Sequence, residues 1–275
     1  MNLKTHSKVA LIVRREDHGL QTYTHVATGN YNPTTSKLYT DLGLVTSDPD
    51  IGEDATDLFN FLTGFSLQKE YKRLLIAPVN LRERMLSLIE REREHAEAGR
   101  PARIAAKVNR LTDLDTIDAL YRASQAGVRI DLIVRGACML RPGVAGISQT
   151  VHVRSVVGRF LEHSRIFHFA NGGEDDVYIG SADWMARNFD RRVEVVTPVL
   201  NSHLKSYLKD TVLPAYLRDN VTARILTADG VYKKPQIGPD EEPFNSQLFF
   251  EGRNSAPPTG SVTSIKRKRL WAKAR

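Results

Sequence analysis

The feature that most narrows what this chain can become is a strand–turn–strand pattern, headed by a histidine and a cation, that occurs twice. In one copy Glu162-His163-Ser164-Arg165 leads into the apolar Ile166-Phe167-His168-Phe169. The turn Asn171-Gly172-Gly173 follows, then Val177-Tyr178-Ile179-Gly180 and a polar stretch from Ser181 to Asn188. Side chains alternate along a strand, so His163 and Arg165 are expected on one face. A tight turn returns the chain beside the first strand, ending in small and polar residues where backbone N–H groups and Asn188 can approach an anion. In the other copy His6-Ser7-Lys8 opens the apolar run Val9 to Val13. A polar turn is expected from Arg14 to Leu20, then a return strand from Gln21 to Ala27, then Thr28-Gly29-Asn30. Each copy carries an Asn about 25 residues after its His, as repeat logic requires of a two-copy site. A lone His-x-Lys says little. Two in matching contexts make His6 and His163 the nucleophile or acid/base candidates, with Lys8 and Arg165 as fixed cations, a layout suited to phosphoryl chemistry.

A chain of 275 residues can form one large or two ordinary domains, and 41% hydrophobic against 26% charged residues is a globular balance. The formal charge of +7 favours anionic partners: nucleotide, polyphosphate, nucleic acid or anionic lipid. Part of that excess sits in the final stretch from Lys266 to Arg275. The single cysteine, Cys138, excludes an intrachain disulfide and fits a reducing cytosol; it reads as a small buried residue rather than a reactive thiol. No run has transmembrane length, and the first residues lack a signal-peptide core. No Cys/His set has zinc spacing, so no metal ligands are assigned, and no P-loop or dinucleotide fingerprint occurs.

Along the chain, Leu42 to Thr46 reads as a strand. Asp48 caps a helix with Pro49 at its first position, Leu58, Phe59, Phe61 and Leu62 on its apolar side and Gly64 at its end. Residues 65–71 read as a connection between units. A β-α-β-α-β alternation follows: strand Lys72 to Ala77, a helix capped by Asn80, strand Arg103 to Val108, a helix capped by Asp113, strand Val128 to Val134. The face Glu90-Arg91-Glu92-Arg93-Glu94 reads as solvated, and Leu114, Ile117, Leu120 and Tyr121 as inward. Val151 to Phe160 suggests a strand and a short helical piece, Arg191 to Thr197 a strand, and His203 to Leu217 a helix with Leu204, Tyr207, Leu208 and Val212 on one side. Past Asp219 the pattern weakens, and from Asn254 a flexible basic tail is expected. These boundaries divide the chain into a partial first unit over 1–70, a second over 71–220, an extension over 221–253 and a tail over 254–275. Because His6 stands almost at the start, with nothing before it to build a sheet, part of the first domain is expected to lie upstream.

Arg135, at the carboxyl end of a strand, is placed where ligands of α/β sheets gather, though a surface arginine would look the same. Arg165, Arg187, Arg191 and Arg192 could line an anion pocket or pair with Asp183, Asp190 and Glu194. Trp184 reads as core. His18, His95, His152 and His203 lack a ligand-like constellation; His25, two residues before Ala27 on the return strand, is closer to interest and reads as structural.

These segments, with Leu38-Tyr39-Thr40-Asp41, Leu132-Ile133-Val134-Arg135-Gly136 and Ser181-Ala182-Asp183-Trp184-Met185-Ala186-Arg187-Asn188, resemble bacterial polyphosphate kinases of the first family over residues 1 to about 220. The resemblance implies a mixed α/β fold of two phospholipase-D-like domains with helices on their sheets, the first truncated at its N-terminus. It implies reversible transfer of the terminal phosphate of ATP to inorganic polyphosphate, with ATP/ADP as substrate and Mg2+ held mostly by residues upstream of Met1. His6 would be the nucleophile that becomes phosphohistidine, and His163 the facing acid, base or phosphate contact. Tyr39 and Arg135 match nucleotide-phosphate contacts; Arg192 and Glu194 match site-wall positions. The complete protein would be a homo-oligomer, cytoplasmic or peripheral at the inner face of the membrane, with no specific nucleic acid partner. Val13 stands where phospholipase D halves carry an Asp after the Lys, against a phosphodiesterase. The alternatives are an inactive polyphosphate- or polyanion-binding module and a phosphodiesterase.

Overall fold

The computed structural model describes residues 3–17, 19–64 and 70–254. Most of the expected connection over 65–71, the tail from 255 and His18 lie outside the described residues. The first unit opens with β1 (Lys4–Thr5), and then β2 (Val9–Glu16) and β3 (Gly19–Ala27) pair antiparallel from Val9–Val26 to Glu16–Gly19. The ladder therefore runs through most of the expected polar turn. Backbone groups make ladder bonds, so exposed polar side chains pair as readily as apolar ones. After a short 3-10 turn come β4 (Tyr39–Thr40) and β5 (Gly43–Thr46), the latter antiparallel to β3. Helix α1 (Pro49–Leu62) starts where Asp48 accepts from the Ile51 N–H at 3.0 Å. Its Ile51, Ala55 and Leu58 bury against Val26, and Gly64 takes the left-handed conformation (φ 81°) that ends it.

The second unit contributes β6 (Leu75–Ala77), α2 (Leu81–Glu97), β7 (Arg103–Val108), α3 (Leu114–Gln125), β8 (Arg129–Val134), β9 (Val151–Val156), β10 (Leu161–Glu162), β11 (Ile166–Phe169) and β12 (Asp176–Gly180). Then follow α4 (Ala186–Asp190), β13 (Arg192–Pro198), α5 (Ser202–Ser206), α6 (Leu213–Arg218), β14 (Ala223–Leu226), β15 (Tyr232–Lys233) and α7 (Ser246–Asn254). The main sheet has the order β1-β13-β12-β11-β7-β8-β9-β14-β15, with β6 also on β13. Strands β7, β8 and β9 run parallel, whereas β11, β12 and β13 alternate, so the sheet is mixed. Helices α2 and α3 cover one face through Leu81, Met85, Ile89, Ile117 and Leu120. Leu208, Val212, Leu213 and Tyr216 cover the other, against Ala105, Ile133, Ile166 and Val177. This is the mixed α/β architecture expected of the sequence.

Several local expectations are corrected. Glu92 is not solvated but fully buried, accepting the N–H groups of Arg103 (3.0 Å) and Asn171 (2.7 Å), so it ties α2 to a strand start and a turn. Asn80 precedes α2, yet its side chain accepts backward from Ile76 N–H at 2.6 Å. Leu114, Leu204 and Tyr207 are exposed, because each lies in the first turn of its helix or on its outer side. The helix around Pro214 widens to a π turn over Tyr207–Val212, which accommodates the missing N–H and the ring of proline. No helix forms at 157–160. Past Asp219 the chain adds two strands and a helix, α7, that packs Phe250 on Tyr216 with ring centroids 5.3 Å apart. The strand expected from Lys72 begins only at Leu75. The N–H groups of Lys72, Arg73 and Leu74 instead converge on buried Asp54 at 2.8, 2.6 and 2.8 Å.

That carboxylate joins α1 to the entry of the second unit. Replacing Asp54 with Ala removes the acceptor of three N–H groups, of which only that of Leu74 belongs to a buried residue; we expect a loss of about 2 kcal/mol in urea unfolding, with Asp54→Asn intermediate.

Candidate active site

Two short parallel seams join the units. β1 pairs with β13, Thr5 opposite Val193, and β10 pairs with β4, Glu162 opposite Thr40. Each seam ends at a histidine. The His6 N–H donates to Val193 O at 2.9 Å, and the His163 N–H donates to Thr40 O at 3.2 Å. The residue after each acceptor is a carboxylate, and it takes the imidazole of that histidine: His6 Nδ1 lies 2.8 Å from Glu194 Oε2, and His163 Nδ1 lies 2.8 Å from Asp41 Oδ1. The pairs are therefore crossed, each histidine receiving its carboxylate from the other unit. A carboxylate only accepts, so Nδ1 carries the proton and Nε2 keeps its lone pair.

The repetition extends outward. Thr28, first past β3, donates its hydroxyl to Asp41 at 2.8 Å and accepts the Leu42 N–H at 2.9 Å. Ser181, first past β12, donates to Glu194 and accepts the Val195 N–H at 3.1 Å. Two residues past each histidine, a cation turns back onto the histidine carbonyl: the Lys8 ammonium on His6 O, and Arg165 Nη1 on His163 O at 2.7 Å. His163-Ser164-Arg165 lies in the gap between β10 and β11 rather than on a strand, so this turning back, not alternation, brings the pair together.

The copies part at the third residue past the return strand. Asp183 holds Arg165 at 3.2 and 3.3 Å; the corresponding Asn30 is neutral and exposed. Asn188, matched to Asn30 by spacing, is buried and donates to Glu194. The hairpins differ in length, which misaligned the two asparagines. Lys8 is 4% exposed, and burial pushes its pKa down to about 8. Glu194 and Asp41 oppose that shift, while Arg165 and Arg192 add to it, so Lys8 feels both crossed pairs at once. Burial likewise lowers the His163 pKa, with the Asp41 bond opposing and Arg165 and Lys8 adding.

Around this centre, the Tyr39 ring lies against the His163 ring (centroids 4.9 Å apart). Arg135 Nε donates to Asn109 Oδ1 at 2.9 Å, and Arg135 feels Asp183, Arg165 and Tyr39. Arg192 stands 3.9 Å from Glu194, whereas Arg187 and Arg191 are exposed. Asp41, Asp183, Ser181 and Asn109 join the site without being among the residues expected there from the sequence. The signal that could find Asp41 is the repeat: a carboxylate beside one histidine asks for another beside its counterpart, and Asp41 ends the segment Leu38-Tyr39-Thr40-Asp41. Away from the site, His25 bonds the Tyr31 hydroxyl at 2.8 Å, Trp184 is core, and burial pushes the Cys138 thiol up to about 11. Among the described residues no three metal-ligating side chains cluster, and Asp41, Asp183 and Glu194 are committed to His, Arg, Ser and Thr donors. The donor set present does not fit a protein-held Mg2+.

Residues 1–68 match the family described as Polyphosphate kinase C-terminal domain 1, and residues 74–247 match Polyphosphate kinase C-terminal domain 2. The chain is 54% identical over 259 residues to the polyphosphate kinase of Synechocystis sp., covering 94% of this chain and 35% of that protein. It is 49% identical to that of Pseudomonas aeruginosa, covering 94% of this chain and 37% of that protein. The chain thus spans about a third of the length of these curated relatives. The crystal structure of polyphosphate kinase from Porphyromonas gingivalis superposes with a TM-score of 0.85 at 39% identity, covering 92% of this chain and 39% of that one.

Two outcomes follow from the site geometry. A methyl on Gly29 would stand 2.6 Å from Asp41 Cβ; Gly29→Ala is expected to push Asp41 off His163 and lower the His163 titration midpoint, read by NMR. Lys8 is charged below about pH 8, so affinity for tripolyphosphate should fall as pH rises through that value. Calorimetry in two buffers should show proton uptake on binding above it, absent in Lys8→Met. Stability carries the opposite sign: this group's burial penalty fades between about 8 and its usual 10.5.

Proposed function

The chain belongs to the polyphosphate kinase family, and from that membership we propose that it carries the paired-histidine centre that moves the terminal phosphate of ATP onto inorganic polyphosphate, reversibly and through a phosphohistidine. The observation that supports this most is the pair of crossed histidine–carboxylate contacts with one buried lysine electrostatically coupled to both.

His6 is the nucleophile. Glu194 fixes its tautomer and orientation through Nδ1, which leaves Nε2 to attack the terminal phosphorus. An Nε2–P bond forms as the bond to the bridging oxygen breaks, and ADP leaves with that electron pair. A terminal oxygen of the polyphosphate chain then attacks the same phosphorus, and the Nε2–P bond breaks to restore the neutral imidazole. His163, oriented by Asp41, holds or releases a proton at Nε2 and contacts the transferring group. Lys8, Arg135, Arg165 and Arg192 supply positive charge for the spreading negative charge, and Tyr39 lines the phosphate path with Asn30 at its edge. Mg2+, when bound, would neutralise charge on the nucleotide phosphates; among the described residues no three metal-ligating side chains cluster to hold it. Cytoplasmic placement goes with this reading; among the described residues no helix is long and apolar enough to cross a membrane.

Polyphosphate binding without turnover is the competing reading, and the formal charge of +7 is the observation behind it. Incubation with gamma-labelled ATP and Mg2+ is expected to give an acid-labile label on His6, lost in His6→Ala. A label that survives in His6→Ala would falsify the nucleophile assignment. Salt-sensitive polyphosphate binding with no label in the unaltered chain would select the binding module.

A further inference from the structure

The two seams are backed unequally. β1 is an edge strand, but its partner β13 is itself held by β12 and β6 in the ten-stranded sheet. Among the described residues β4 pairs only with β10, and β10 has no further strand beside it. A cavity of about 490 Å3 opens beside it, lined by Lys37, Tyr39, Thr40, Phe160, Tyr216 and Phe250, so packing does not hold β4 from that side. A two-residue ladder is marginal by itself. Yet the residues flanking Thr40 are the two that fix His163: Tyr39 against its ring and Asp41 on its Nδ1.

A buried polar network closes on Thr40. Glu162, 2% exposed, accepts the Thr40 hydroxyl on Oε2 at 2.7 Å, with Lys107 Nζ 3.0 Å from the same oxygen. Lys107 also donates to Ser164 Oγ at 2.8 Å. The other oxygen, Oε1, accepts from Gln247 Nε2 at 2.7 Å. Gln247, on α7, further clasps the backbone of Phe160, accepting from its N–H at 3.0 Å and donating to its carbonyl at 2.8 Å. Burying this much charge and polarity is costly unless every group is answered, and here each oxygen of Glu162 is. In the other copy the residue before the histidine is Thr5, exposed on the surface. The network therefore belongs to the weaker seam alone. Because strand side chains alternate, Thr40 reaches into the network while Tyr39 and Asp41 turn to His163.

We propose that Thr40, Glu162 and Gln247 are positioning residues for His163: they hold β4 in register, so that Asp41 keeps the imidazole proton on Nδ1 and leaves Nε2 unprotonated, 3.2 Å from Arg165 Nη1. The extension carrying α7 thereby becomes part of the catalytic apparatus. The role of His163 in chemistry rests on the kinase reading, but the readout does not need turnover.

The test is the nitrogen NMR signature of the His163 tautomer in the full chain, with His6 as internal control. Thr40→Val, which keeps shape and removes the hydroxyl, is expected to turn a single Nδ1–H form of His163 into a mixture and leave His6 unchanged. Thr40→Ser is expected to restore the single form. Gln247→Ala, acting on the far oxygen of Glu162, is expected to shift His163 the same way but less, and it decides the matter if Thr40→Val does not fold. An unchanged His163 signature in the folded variants would overturn the proposal. So would an equal loss in Thr40→Val and Thr40→Ser, or a matching change at His6, which would mark general loosening. Absence of kinase activity in the unaltered chain would count against the function above without altering this result.

Discussion

Everything at the centre depends on the crossed contacts that carry an imidazole of one unit onto a carboxylate of the other. Glu194 is fully buried, and a bare carboxylate there would be untenable. His6, Ser181 and Asn188 all donate to it. The interdomain contact is thus not an optional docking of two finished bodies. Removing the first unit would leave buried Glu194 a donor short, and removing either would leave an imidazole without its orienting partner. The seam strands are short because they need only bring one backbone N–H to the carbonyl preceding that acid; the side chains do the rest.

The sequence made the layers legible wherever backbone logic was local. Asp48 and Asp113 stand as helix caps, Gly64 and Gly127 as helix stops, and the strands over Arg103–Val108 and Arg192–Pro198 fall close to their expected ends. What failed was long-range. Glu92 lies in a run of alternating charges that nothing local marks as buried; only the approach of Arg103 and Asn171 makes it a structural acceptor. Lys72 to Leu74 have strand composition, but their N–H groups find Asp54 before they find a neighbouring strand. At the site, the histidines and their trailing cations were visible because they repeat within fixed local frames. Asp41 was harder to see because its partner lies far along the chain, and the Asn30–Asn188 correspondence broke on unequal hairpins.

Charge divides the two copies more than shape does. Arg165 is held by Asp183 and by the carbonyls around it, so its guanidinium is largely spoken for. Where Arg165 has the acid Asp183, the other copy has an exposed, neutral Asn30, and Lys8 sits buried with a weakened hold on its proton. A compact ammonium in that state is a cation whose charge is strengthened by whatever anion arrives. The asymmetry gives one half a ready electrostatic acceptor and the other a rigid frame, within one shared scaffold.

The crossing also bears on ancestry. A single unit of this kind would own a histidine and an acid that cannot reach one another, because the acid points across the seam. Two identical units facing each other about a twofold axis would complete both pairs together. Fusing such a dimer into one polypeptide would keep the mutual dependence while freeing the halves to diverge, and the exchange of Asp183 for Asn30 is the kind of one-sided drift that a symmetric pair of identical chains could never express.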